Sequence, residues 1–189
     1  MPYTKKFEGA LVYAAQLHRD QTRKGTGVPY VTHLLAVAAI VGENNGTEDE
    51  VIAALLHDAP EDAGGEQRLT EIRARFGATV ADIVAGCTDT YKNPKPPWRA
   101  RKEAYFEHLA GAPPSVRLVS AADKLHNARS VLSDYRAVGE DLWGRFNGGR
   151  EGTLWYYRAV ADVLAGDGPV ADELGRVVAA LERAAQDGG

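Results

Sequence analysis

The pair His57-Asp58 ends an unbroken apolar run, Val51-Ile52-Ala53-Ala54-Leu55-Leu56. An ionised Asp buried at the end of such a run is costly without a partner, and a metal ion is a natural partner. A lone His-Asp pair carries little weight, because such pairs arise by chance at surfaces and capped helix ends. Asp123 adds to it, since it follows Val119-Ser120-Ala121-Ala122, where a solvated carboxylate is unexpected. With His33, the set becomes two imidazoles and two carboxylates drawn from three helices or helix ends. Such ligands suit a divalent first-row ion and nearly neutralise it. Open positions could then hold water and a phosphate oxygen, the requirement of a metal-dependent phosphohydrolase. Glu61-Asp62 follow closely. They read either as solvated loop charge ahead of Gly64-Gly65-Glu66, or as carboxylates that orient or deprotonate the attacking water.

The elements that must position these groups are helical nearly throughout. Phe7, Ala10, Leu11, Ala14, Ala15 and His18 fall on one face of a first helix. The turn-rich stretch Arg23-Lys24-Gly25-Thr26-Gly27-Val28-Pro29 leads to a second helix, from Tyr30 to the stop at Asn44-Asn45-Gly46. Thr47-Glu48-Asp49-Glu50 reads as a capping box for the helix carrying His57. Pro60 should end that helix near Ala59, with Glu61 and Asp62 at its end or just beyond. Further helices are predicted over Thr70–Phe76, Thr79–Cys87, Trp98–Leu109 and from Pro113-Pro114 through Leu125. Two more follow Gly148-Gly149, parted by Gly166-Asp167-Gly168. No β-branched run of period two appears. The expectation is an all-α bundle of about eight helices in one domain, 1–189.

Composition sets the partners. A 44% hydrophobic content suits a packed core rather than a disordered chain. No apolar run is long enough for a bilayer, and the first residues do not read as a signal peptide. The single Cys87 excludes an internal disulfide and points to a reducing cytoplasm. A net charge of −4 without a basic stripe argues against nucleic acid as the main partner. A small anionic ligand remains compatible with it.

Four motifs in order carry a family likeness. They are Arg23-Lys24, Pro29-Tyr30-Val31-Thr32-His33, His57-Asp58-Ala59-Pro60-Glu61-Asp62, and Ala122-Asp123-Lys124-Leu125-His126-Asn127-Ala128-Arg129. Together they resemble the HD-domain hydrolases of the RelA/SpoT type, most of all the small single-domain alarmone hydrolases without a synthetase. The resemblance implies a helical fold holding one Mn2+ by His33, His57, Asp58 and Asp123. Ligand type alone also admits Fe2+, Co2+, Ni2+ or Zn2+. The resemblance further implies Glu61 and Asp62 as catalytic carboxylates and removal of the 3′-pyrophosphate from ppGpp or pppGpp. By the same likeness Arg23 and Lys24 lie near the base and Asn127 near the ribose, while Arg150 and Tyr156 fall near phosphate-binding positions. Arg129 is read as a structural pair.

The chain departs from that pattern in two places. The loop from Lys24 to Pro29 is one residue longer than in the commonest bifunctional enzymes, so either Gly25 or Thr26 takes a position often filled by Ser. Gly86-Cys87-Thr88-Asp89 stands where Gly-Val-Thr-Lys is usual. Lys92, Lys95, Arg99, Arg101 and Lys102 form a basic cluster, read as a solvated face from which one or two residues, Arg101 among them, clamp phosphate. Trp98 and Trp155 are expected in the core, His18 as a core or supporting histidine, and His108 and His126 as structural. Two rival readings stand beside the alarmone one: an HD-domain phosphohydrolase of another nucleotide, and a nucleotide sensor without catalysis.

Overall fold

A computed structural model describes residues 2–62, 64–90 and 96–187, with the side chain of Asp62 excepted. Among the described residues the chain is all-α, with ten α-helices and one 3-10 segment. Helix α1 spans Lys5–Leu17, α2 Val31–Glu43, α3 Glu48–Leu56 and α4 Ala59–Asp62. Helix α5 spans Gly65–Phe76, α6 Ala78–Cys87 and α7 Trp98–Ala110. Then come α8 (Pro114–Val138), the 3-10 segment Gly139–Arg145, α9 (Gly149–Leu164) and α10 (Pro169–Asp187). The described residues contain no membrane-length apolar helix.

Helix α8 is the axis of the bundle. Its 25 residues extend about 37 Å at 1.5 Å per residue. Helices α2, α3, α6, α9 and α10 all pack on it. Helix α10 covers α8 and α9 with one apolar face, burying Val170, Leu174, Val177, Val178 and Leu181. Helix α6 approaches α8 at Gly86, where an added Cβ would come within 2.6 Å of Val116. Only glycine allows that approach.

The capping box at α3 forms as read: the Thr47 hydroxyl accepts from the Glu50 N–H, and the Glu50 carboxylate accepts from the Thr47 N–H. Two boundaries differ from the sequence reading. Helix α3 already stops at Leu56, and Pro60 lies in the first turn of the short helix α4. A missing N–H costs nothing there, so Pro60 helps to start a helix rather than end one. Glu61 therefore projects from a helix of its own. Helix α5 begins at Gly65 rather than Thr70. The 3-10 segment was unforeseen; it buries Leu142 and Trp143.

Between α1 and α2 the chain folds back on itself. Thr22 bridges Pro29, the Arg23 N–H donates to the Val28 carbonyl at 2.8 Å, and the Tyr30 N–H donates to Gln21 at 2.9 Å. This hairpin presents Arg23 and Lys24 beside the first turn of α2.

Candidate metal centre and cleft

Three helices bring four ligand-type side chains together. His33 lies in the first turn of α2, His57 caps α3, Asp58 follows it, and Asp123 sits on α8. Burial of Val51 to Leu56 fixes the end of α3 deep in the bundle. The ligand atoms of His33, His57 and Asp58 lie within 4.8 Å of one another, a group that could hold a metal ion. Asp123 reaches the same point, its Oδ1 at 3.2 Å from His33 Nε2 and 3.6 Å from His57 Nε2. Asp58 Oδ2 lies 3.6 Å and 3.0 Å from the same two atoms. Despite this proximity, both Nε2 atoms are buried without a properly directed hydrogen bond. Buried polar atoms are rarely left so, and a cation between them and the carboxylates accounts for both.

The far side of each ring is tied down. His57 Nδ1 lies 2.8 Å from the Ala54 carbonyl, so it donates and leaves the Nε2 lone pair facing the cluster. His33 Nδ1 meets His126 Nδ1 at 2.8 Å. Burial first, then the neighbouring His33 and Arg23, push His126 down to about 4, so it stays neutral and can accept from His33. Both rings are then set as neutral ligands by partners behind them. The carboxylates are held too. The Tyr30 hydroxyl donates to Asp58 at 2.5 Å, and Lys124 and Asn127 each donate to Asp123 at 2.5 Å. His18 stacks on Tyr30 with centroids 5.3 Å apart, a supporting role as expected.

Burial opposes every charge here, yet the charges win. Asp58 and Asp123 overcome burial to hold the His57 pKa well above its usual value. The charge on His57, and then the approach of His33, likewise outweigh burial and keep Asp58 well below the carboxylate range. For Asp123, Lys124 is the foremost such force, followed by His57. The cluster demands positive charge, from a proton on His57 or from a metal ion.

Beside it lies a polar recess lined by Asp58, Glu61, Asp89, Lys102, Asp123, Lys124 and others. Burial raises the Glu61 pKa; the N–H of Asp89, donating to its Oε1 at 2.7 Å, pulls the other way. The Asp89 carboxylate accepts from Arg101 and Lys102, both at 2.6 Å. Burial, aided by Lys124, lowers Lys102, whereas Asp123 overcomes burial to raise Lys124 well above its usual value. The side chain of Asp62, and all of Lys92 and Lys95, lie outside the described residues.

The recess opens in two directions around Asn127. One is a cavity of about 500 Å³ lined by Arg23, Lys24, Tyr30, Asn127, Asp134 and Phe146 among others. The second, of about 320 Å³, is lined by Lys24, Trp98, Arg101, Lys102, Lys124 and Tyr156 among others. Arg23, Lys24, Asn127, Arg101 and Tyr156 are thus brought to one cleft. Arg150 is not: its guanidinium donates to the Ala185 carbonyl near the end of α10 and faces Glu140. Its expected place near phosphate is corrected on that ground, because it serves a helix C-terminus. Arg99 lies over the Trp155 ring and pairs with Glu103, on an outer face. Trp98 is only half-buried and walls the second cavity, so it is not the core residue expected. Lys124, Asp89 and His126 went unrecognised as site residues. The signal for Lys124 was its adjacency to Asp123, and for His126 its place one turn on along the same helix face.

Helices converging His and Asp side chains on one buried point define a class, the helical proteins built around a divalent-ion site. The chain belongs to the HD domain family, whose model matches residues 10–154. It is 42% identical over 122 residues to the guanosine-3′,5′-bis(diphosphate) 3′-pyrophosphohydrolase MESH1 of Danio rerio, covering 63% of this chain and 65% of that protein. The Homo sapiens counterpart is 39% identical over the same lengths. The bifunctional (p)ppGpp synthase/hydrolase SpoT of Escherichia coli is 34% identical over 135 residues, 68% of this chain and 18% of SpoT. The match therefore spans just under two thirds of the metazoan relatives and a small part of SpoT. A solved structure described as a metazoan orthologue of SpoT that hydrolyses ppGpp superposes with a TM-score of 0.79 at 27% identity, covering 94% of this chain and 96% of the other. A Listeria monocytogenes crystal structure gives a TM-score of 0.69 at 33% identity, covering 77% and 96%.

Proposed function

We propose that this chain is a Mn2+-dependent hydrolase that removes the 3′-pyrophosphate from ppGpp or pppGpp, giving GDP or GTP and pyrophosphate. The observation that carries the reading is the pair of buried, unbonded Nε2 atoms facing two carboxylates at the head of a cationic cleft. The substrate is that named for its relatives.

In this reading His33, His57, Asp58 and Asp123 hold the ion. When bound, the ion supplies Lewis acidity toward phosphate and makes water easier to deprotonate. Glu61, with Asp62 beside it, takes a proton from the attacking water. Its raised pKa suits a base that must also release that proton. The water oxygen bonds to the phosphorus next to the ribose, the bond from phosphorus to the 3′ oxygen breaks, and the 3′ hydroxyl leaves with a proton. Arg101, Lys102 and Lys124 neutralise the phosphates, Asn127 meets the ribose, Arg23 and Lys24 flank the base, and Tyr156 walls the cleft. Residues 1–189 act as one domain on a small nucleotide in the cytoplasm, not on nucleic acid.

The test is a matrix of Mn2+, Fe2+, Co2+, Ni2+ and Zn2+ against ppGpp, pppGpp and other nucleotides, with pyrophosphate release as readout. Mn2+ with ppGpp is expected to give the fastest release. Robust turnover of another nucleotide, with ppGpp untouched, would overturn the substrate and leave the metal chemistry standing.

A further inference from the structure

We propose that Asp134 selects the base of the nucleotide, its carboxylate accepting from the N1–H and N2 amino edge of a guanine ring lodged between α8 and the 22–29 hairpin. This inference rests on the guanosine reading given above. On α8, Asp123, Asn127, Ser130 and Asp134 follow one another at intervals of three or four residues, so they form one stripe along the helix. The stripe runs about 16 Å from the metal cluster to its far end at 1.5 Å per residue. A nucleoside with its 3′-phosphates laid along it would put phosphate at Asp123 and the base toward Asp134.

Asn127, Ser130 and Asp134 all line the larger cavity, of about 500 Å³. Asp134 is the sole carboxylate among the described residues that line it. Most of the other polar groups are committed or cationic. Asn127 Oδ1 accepts from Arg23 at 2.7 Å, the Ser130 hydroxyl donates to the His126 carbonyl at 3.0 Å, and Lys24 has no acceptor. Arg23 also lies over the Tyr30 ring, 5.9 Å from its centroid. The far end of the cavity therefore offers a carboxylate, a group that only accepts. Guanine presents two adjacent donors there, which two carboxylate oxygens match. Adenine sets an acceptor nitrogen beside its one amino group, and that nitrogen would face a carboxylate oxygen unpaired.

The carboxylate is held in place. Arg145 Nη1 lies 3.1 Å from Asp134 Oδ2, which leaves most of the carboxylate's acceptor capacity to a ligand. The Arg145 stem in turn crosses Gly25, where an added Cβ would come within 2.8 Å of its Cδ. Gly25 adopts φ +75, a conformation other residues rarely take. Arg145 thus fixes Asp134 and braces the hairpin that carries Arg23 and Lys24.

The experiment is calorimetric binding of GDP and ADP to the Mn2+-loaded protein, run beside ppGpp turnover. The wild type should bind GDP at least about tenfold more tightly than ADP, because a site built to pair a donor edge rejects a ring lacking it. Asp134→Ala should narrow the ratio to about twofold, by weakening GDP while ADP holds. Asp134→Asn keeps the shape, exchanges an acceptor for a donor, and should lose the preference as well; it carries the test if the alanine variant does not fold. Equal binding of GDP and ADP by the wild type, or a guanine preference that survives substitution, overturns the inference. A preference that depends on Asp134 in a protein that leaves ppGpp intact keeps this inference and removes the reaction proposed above. Turnover of ppGpp without that dependence does the reverse.

Discussion

The metal cluster and the larger cavity share α8 and differ in almost everything else. At the cluster, His33, His57 and Asp123 are almost fully buried, and each ligand is gripped from behind by a partner that is often on another element. At the cavity, Asp134 and Arg145 stay partly exposed and hold each other beside the 22–29 hairpin. The cluster is set before any ligand arrives, because its rings and carboxylates have little room to move. The cavity is assembled from long side chains whose order depends on one another. In the proposed reading, chemistry sits on helices, where it is stiff, and recognition draws on a hairpin and an ion pair, where it can adjust.

That contrast can be broken at the cluster first. Asp58→Ala removes a carboxylate of the proposed cation site. Losing several kcal/mol of transition-state stabilisation lowers kcat by roughly a thousandfold or more, with metal content by elemental analysis falling alongside. Because His57 is held well above its usual pKa, protons compete for the same site, so metal affinity of the wild type should weaken as pH falls through that raised value. An affinity flat with pH would argue against His57 as a ligand.

Glu61→Gln separates the proposed base from the proposed ligands. It should cost about 10²–10⁴ in kcat while metal content stays intact. Glu61 must be ionised to accept a proton, and burial raises its pKa. Activity is therefore lost on the acid side at a pH above that of an ordinary glutamate, and the substitution should remove that limb of the profile. Retained metal with an unchanged pH profile would take the base role away from Glu61.

His126→Ala probes the grip from behind. Metal affinity should drop by about 10–100-fold, the usual cost of losing such a partner. The smallest effect belongs to Arg150, which lies away from the cleft. Arg150→Ala should leave ppGpp turnover within about twofold and, through its lost bond to the end of α10, lower Tm by roughly 2–4 °C, the shift of about 1 kcal/mol in a chain of this size. A tenfold fall in turnover would restore it to the site.

The helices were legible because they rest on local periodicity and local caps. The Thr47–Glu50 box and the glycine breaks near 148 and 166 are written within a few residues of where they act. The exception, Pro60, misled because a proline tolerated in a first turn looks the same in sequence as one that ends a helix. The candidate ligands were legible because His57-Asp58 and Asp123 are polar residues set in apolar runs, and that mismatch with the surroundings needs no tertiary contact to be seen. The surrounding groups were not. His126 sets the His33 ring across 93 residues of sequence, and Asp89, in the stretch after α6, gathers Arg101 and Lys102 from α7.

By itself, then, the sequence determined an all-α chain, the helices that carry the polar ligand set, and a family likeness that implied phosphate chemistry. Only the tertiary structure decided which cations face the cleft, which histidine supports which, and that Arg150 serves a helix end while Asp134 faces a cavity. Periodicity and burial cost are properties of neighbouring residues along the chain. The partner of a charge is a property of neighbours in space, and here those neighbours come from helices that meet only when the bundle closes on α8.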